Sequence, residues 1–223
     1  MIIFGHRGAP GHSAYGENTI TSFRRALASG ATGLEFDVRR CGDGQIVVIH
    51  DETINRTTNG RGRVSKFPYD ELKGFDAGFG EPIPLLSDVL DQFGAQCLLN
   101  IELKETGLAH DVKKILLERR LESRVIVSSF EWSELQSLTP EVPIGLLTSG
   151  LENVIDEARR LGATAIHAQK DIVTPTFIAA AREAGLRLHV WTINDAYEIS
   201  WFRNLGIDGI FTDFPERCLT PAS

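Results

Sequence analysis

Cysteine is scarce in this chain: three residues in 223, at Cys41, Cys97 and Cys218, widely spaced, odd in number and without a CxxC pair. A disulfide framework and a thiolate zinc site are therefore not indicated, and a reducing compartment suits the thiols. Positive charge is also in deficit. Lysine and arginine number 23 against 30 aspartates and glutamates, a net charge of −7, which argues against nucleic acid as a partner because phosphate backbones are held by clustered basic residues. No apolar run approaches the roughly 20 residues that span a bilayer. The opening Met1-Ile2-Ile3-Phe4 leads to reactive side chains by position 6, leaving no room for a secretory leader. The expectation is a cytoplasmic protein with a small-molecule substrate and no stable membrane association. Internal repeats and low-complexity tracts are missing as well. What is present is an ordinary globular composition, 42% hydrophobic and 24% charged, at a length suited to one α/β barrel domain.

Short apolar runs alternate with amphipathic segments along nearly the whole chain, the pattern of a parallel sheet joined by crossover helices. Strands are expected over 2–5, 33–38, 46–49, 98–103, 124–129, 143–147, 163–167, 187–191 and 207–211. Only a short loop through Asp43-Gly44 separates the second from the third. Parallel neighbours need a crossover of about a dozen residues, whereas a short Asp-Gly loop makes an antiparallel hairpin. The segment 46–49 should therefore fold back on the second strand, leaving eight strands for a TIM (β/α)8 barrel. Helices are expected over 19–29, behind an Asn18 N-cap, and over 85–93, 108–120, 132–138, 151–161, 175–184 and 196–204. The stretch 52–84, rich in Gly, Arg, Thr and Asp, breaks the rhythm. It reads as a small inserted subdomain after the second barrel strand, within a single domain over 1–223.

Period-two alternation puts Glu35 and Asp37 on one face of the second strand and Leu34, Phe36 and Val38 on the other. The same rule on 98–103 groups Asn100 and Glu102, with Lys104 beyond them. Three carboxylates at one barrel mouth raise one another's pKa unless a cation joins them. Oxygen donors without thiol or imidazole favour a hard divalent ion, Mg²⁺ or Ca²⁺. His6 ends the first strand, where barrel enzymes keep their chemistry, and the hairpin returns His50 toward Glu35. Two imidazoles beside an acid cluster suit general acid and base catalysis on a phosphodiester, whose alkoxide leaving group needs a proton. Arg7 and Lys104 offer fixed positive charge to phosphate oxygens, and Trp191 offers a ring to an apolar substrate portion. His12, His110, His167 and His189 are weaker candidates, with His167 close enough to a strand end to line the pocket. Asp213 reads as a cap or loop-fixing residue.

These pieces occur together as HRG at 6–8, ENT at 17–19, E-x-D at 35–37, DG at 43–44, HD at 50–51, RTTNGRG at 56–62, ELK at 102–104, SSF at 128–130, VWTIN at 190–194 and TDFP at 212–215. In that order and spacing the chain resembles the glycerophosphodiester phosphodiesterases. One departure is Gly16 before Glu17-Asn18-Thr19, where the family reads proline. The resemblance implies a TIM-type barrel with an insertion, hydrolysing glycerophosphodiesters to sn-glycerol 3-phosphate and an alcohol. It also implies a divalent metal on Glu35, Asp37 and Glu102, an acid/base pair in His6 and His50, and phosphate contacts from Arg7 and Lys104. Residue types do not divide the labour between the two histidines. Competing readings are a phospholipase D or sphingomyelinase D-like lipid phosphodiesterase and, outside catalysis, a phosphate-binding barrel protein.

Overall fold

In the computed structural model, which describes residues 1–11 and 16–219, nine strands form one sheet. They are β1 (Ile2–Gly5), β2 (Gly33–Arg40), β3 (Ile46–Val48), β4 (Leu98–Leu103), β5 (Val125–Ser129), β6 (Ile144–Thr148), β7 (Ala165–Gln169), β8 (Arg187–Trp191) and β9 (Gly209–Thr212). Eight of them pair in parallel in the order β1-β9-β8-β7-β6-β5-β4-β2, and β1 pairs back onto β2. The sheet is thus a closed TIM barrel. The remaining strand, β3, lies antiparallel on β2 with Val38 opposite Val48, as the Asp43-Gly44 loop requires.

The helices are α1 (Ile20–Ala28), α2 (Tyr69–Leu72), α3 (Leu86–Phe93), α4 (Ala109–Arg119), α5 (Trp132–Leu135), α6 (Val154–Leu161), α7 (Pro175–Glu183) and α8 (Ala196–Asn204). Leu34, Phe36 and Val38 of β2 join Leu99, Ile101 and Leu103 of β4 in the apolar layer shared with Phe23, Leu90 and Phe93 of the helices. The alternate residues of each strand point the other way, into the barrel. There Phe4 stacks on Phe211 with ring centroids 4.9 Å apart, and His167 and His189 pack against each other at 5.0 Å. Glycines make room for these rings: a Cβ at Gly145 would lie 2.5 Å from His167 Nε2, and one at Gly209 would lie 2.9 Å from His189 Cδ2.

Two sequence expectations need correction. Helix α1 is capped by Thr19 and not by Asn18: the Thr19 side chain accepts from the Ser22 N–H, and the Ser22 side chain accepts in turn from the Thr19 N–H. That reciprocal pair is worth about 1 kcal/mol, and it frees the Asn18 amide for another partner. His167 does not line the pocket. Strand β7 runs on to Gln169, two residues past its expected end, so His167 sits in mid-strand with no exposed surface. Smaller differences lie at helix ends. Asn153 takes a left-handed φ of 54°, so α6 starts only at Val154.

Residues between β3 and α3 carry a short 3₁₀ turn (Val64–Lys66) and α2. Ile49, Ile54, Val64, Leu72, Ala77 and Ile83 of this stretch form a second apolar cluster with Cys41 and with Val47 of β3. Glu81 closes the segment onto the barrel, accepting from the N–H and hydroxyl of Thr21 at 2.9 and 2.6 Å. Among the described residues no helix is long and apolar enough to cross a membrane.

Candidate active site

Neighbouring strands β2 and β4 place three acids together. Asp37 stands opposite Glu102 in the β2–β4 register and Glu35 opposite Asn100, so alternation on two neighbouring strands aims all three carboxylates inward. One oxygen from each of Glu35, Asp37 and Glu102 lies within 4.8 Å of the others. The cost shows in their protonation. Burial, then the Asp37 charge, pushes the Glu35 carboxyl up to about 8, and burial with the Asp37 charge raises Glu102. Burial opposes ionisation of Asp37 too, but Arg7, His50, Lys104 and the Asn18 amide outweigh it and hold its carboxyl below the usual range.

Each acid is gripped from behind. The backbone N–H of Arg7 donates to Glu35 Oε2 at 2.8 Å, Asn18 Nδ2 donates to Asp37 Oδ2 at 2.9 Å, and Lys104 Nζ donates to Glu102 Oε1 at 2.5 Å. Arg7 reaches Glu35 from a left-handed backbone, φ 52°, a conformation that a non-glycine residue adopts only under constraint. Asp37 Oδ1 is buried and accepts no hydrogen bond from the described residues, with Lys104 Nζ 3.8 Å away. A buried carboxylate oxygen without a hydrogen bond, beside two further carboxylates, fits a cation: Glu35, Asp37 and Glu102 are an all-oxygen cluster that could hold a divalent metal ion.

Both predicted histidines enter the same cavity, each with a carboxylate behind its Nδ1. His6 Nδ1 lies 2.7 Å from Asp213 Oδ1, and His50 Nδ1 lies 2.7 Å from Asp51 Oδ1. A carboxylate accepts only, so Nδ1 carries the proton on each ring. Burial disfavours the charged form of His6, but the Asp213 hydrogen bond and the Glu35 charge outweigh it and raise its pKa. For His50, burial dominates and, with Arg7 and Lys104, lowers the pKa against the pull of Asp37 and Asp51. The His50 backbone is fixed as well, its carbonyl accepting from Arg39 Nε at 2.8 Å.

The cavity measures about 170 Å³. Its polar lining is His6, Arg7, Glu35, His50, Asn100, Glu102, Lys104 and Thr192, and its apolar lining includes Phe130, Leu147, Trp191 and Phe211. The Trp191 indole donates to the His167 carbonyl at 2.9 Å and meets the half-exposed Phe130 ring edge-on at 5.7 Å. Every predicted site residue except Asp37, which is 1% exposed, therefore lines one cavity. His12 lies outside the described residues, and His189 is buried in the barrel.

Sequence reasoning missed the orienting groups. Asp213 fixes more than a loop: it holds His6, and Asn194 holds it, donating from Nδ2 to Asp213 Oδ2 at 2.7 Å and accepting from the Asp213 N–H at 2.9 Å. The VWTIN and TDFP runs were the available signal, since they end adjacent strands β8 and β9. Phe130, in the SSF run, was the other omission.

A TIM barrel that collects three carboxylates, two oriented imidazoles and two fixed cations at the carboxyl ends of its strands defines a phosphodiester-cleaving enzyme. The family model for the glycerophosphoryl diester phosphodiesterase family matches residues 6–217. The chain belongs to that family. It is 37% identical to a glycerophosphodiester phosphodiesterase of Caldanaerobacter subterraneus subsp. tengcongensis, over 98% of this chain and 96% of the relative. A Bacillus altitudinis glycerophosphodiester phosphodiesterase is also 37% identical, over 97% and 96% of the two chains. Among solved structures, that of an Oleispira antarctica phosphodiesterase in complex with the product sn-glycerol-3-phosphate superposes with a TM-score of 0.85 at 29% identity, covering 98% and 95% of the chains. A glycerophosphodiester phosphodiesterase from Agrobacterium tumefaciens gives 0.86 at 29% identity, covering 98% of each chain.

Proposed function

We propose that this protein hydrolyses glycerophosphodiesters to sn-glycerol 3-phosphate and an alcohol, with a divalent cation, Mg²⁺ or Ca²⁺, and two histidines as the proton-transferring pair. The observation that carries this reading is the convergence of Glu35, Asp37 and Glu102, with an Asp37 Oδ1 that accepts no hydrogen bond from the described residues, beside two imidazoles each oriented by a carboxylate. An ion bound there would neutralise charge on a phosphate oxygen as the transition state forms. Arg7 and Lys104 hold the phosphate by fixed charge. One imidazole takes the proton of the attacking oxygen through Nε2, and the other returns a proton to the leaving oxygen, each kept in its tautomer by Asp213 or Asp51. Trp191, with Phe130 beside it, packs on an apolar portion of the substrate. The chain acts as one barrel domain over 1–223, its inserted subdomain at about 52–84, and its substrate is a small deacylated diester encountered in the cytoplasm.

The test is product analysis on a panel that includes glycerophosphocholine and intact lysolipid, after chelation and with Mg²⁺ or Ca²⁺ restored. Release of sn-glycerol 3-phosphate from glycerophosphocholine, lost on chelation and regained with the ion, is the expected result. Turnover of lysolipid alone would refute the substrate, and indifference to chelation would refute the ion.

A further inference from the structure

The RTTNGRG run and the glutamate of ENT take no part in the chemistry above, yet they meet behind it. Arg56 uses both edges of its guanidinium. Nε and Nη2 donate to the two oxygens of Asp51, each at 2.8 Å, while Nη2 and Nη1 donate to the two oxygens of Glu17 at 2.8 and 3.1 Å. Asp51 is the carboxylate that orients His50, at 2.7 Å. Glu17, only 5% exposed, also accepts from Arg7 Nη1 at 3.1 Å. Two carboxylates on different segments, each backing a different reacting group, thus share one cation supplied by the inserted segment.

We infer that Arg56 is a positioning residue that holds His50 and Arg7 in one register by gripping the carboxylate behind each. This inference rests on the roles given above to His50 and Arg7. Among the described residues, removal of Arg56 leaves Asp51 only the imidazole as partner, free to turn away from it. It leaves the buried Glu17 only Arg7, a side chain that Glu17 then draws off the phosphate. Lysine cannot replace the contact, because a point charge offers neither the planar fork nor two opposed edges.

Kinetics on glycerophosphocholine with Arg56→Ala, Arg56→Lys, His50→Ala and Arg63→Ala test it. Arg63 pairs with Glu52 at the surface and serves as a control within the same segment. The expected loss in kcat for Arg56→Ala is roughly 10- to 100-fold, the range for outer partners of catalytic groups, with the melting temperature little changed. Arg56→Lys should stay impaired, Arg63→Ala should match wild type, and millimolar guanidinium should restore part of the activity of Arg56→Ala and none of that of His50→Ala. Wild-type kcat in Arg56→Ala or Arg56→Lys overturns the inference. So does a loss that guanidinium leaves untouched while the melting temperature falls, since that is fold support alone. If Arg56→Ala does not fold, Arg56→Lys decides the matter. A fully active His50→Ala would instead remove the functional reading beneath, whereas a silent Arg56→Ala beside a dead His50→Ala removes this inference alone.

Discussion

Lowering the pH should destabilise the fold through two histidines that never meet the substrate. His167 and His189 have no exposed surface. Their packed rings share one hydrogen bond, His189 Nδ1 to His167 Nε2 at 3.1 Å, and among the described residues His167 Nδ1 and His189 Nε2 have no hydrogen-bond partner. Burial, with the Arg187 charge, lowers the His189 pKa from 6.5 to about 3. Burial, then the charges of His189 and Arg187, takes His167 well below 6.5. Both rings are neutral in the folded chain and ordinary in the unfolded one. Below pH 6.5 the unfolded state therefore binds more protons, so stability is full above that pH and falls as pH drops toward 3. In that window His189 contributes about 1.4 kcal/mol per pH unit. At pH 5 it removes about 2 kcal/mol, a large part of a typical stability of 5–15 kcal/mol, and His167 acts in the same direction. Urea unfolding at a series of pH values checks this, with His189→Phe as comparison because other groups cancel in the difference. The variant's stability should fall less steeply below pH 6.5, by about 1.4 kcal/mol per unit. Equal slopes in the two proteins, or an imidazole NMR titration placing both rings near their ordinary pKa, would refute the reasoning.

Replacing His6 or His50 by alanine should abolish hydrolysis while the unfolding transition persists; activity retained in both variants contradicts their roles. Asp213→Asn keeps the shape but no longer compels Nδ1 of His6 to carry the proton, so kcat should fall roughly 10- to 100-fold with KM little altered, measured by steady-state kinetics. Gly145→Ala sets a methyl 2.5 Å from His167 Nε2 and should cost about 1–3 kcal/mol in denaturant unfolding, the usual penalty for overpacking a core; an unchanged midpoint would show that the ring has room to move. Isothermal titration of the chelated protein with Mg²⁺ or Ca²⁺ should show binding that Asp37→Asn weakens sharply, and equal affinity in the variant argues against Asp37 as a ligand.

The parts of the molecule legible in the chain are those that follow from local period and turn chemistry. Alternation in 33–38 and 98–103 put Glu35, Asp37 and Glu102 inside. Asp43-Gly44 forced β3 to fold back and so delivered His50. The eightfold closure followed from counting the remaining strands. What escaped depends on pairings across the chain or on a register of one or two residues. Asn18 and Thr19 are both good caps, and the reciprocal Thr19–Ser22 pair together with the Asn18 amide's contact to Asp37 assigns the cap to Thr19. A β7 that ends at Gln169 instead of at 167 moves His167 from the mouth to the interior. Asp213 and Arg56 act through partners 207 and 39 residues away, distances at which no pattern of hydrophobicity speaks.

The contact between His6 and Asp213 joins residues 207 positions apart. The strand that leads directly into that carboxylate, β9, ends at Thr212 and is the one that seals β1 to β8. Without β9 and the residue after it, the His6 ring would lack its carboxylate and the sheet would lie open at β1 and β8. Orienting that ring and closing the sheet are therefore one event.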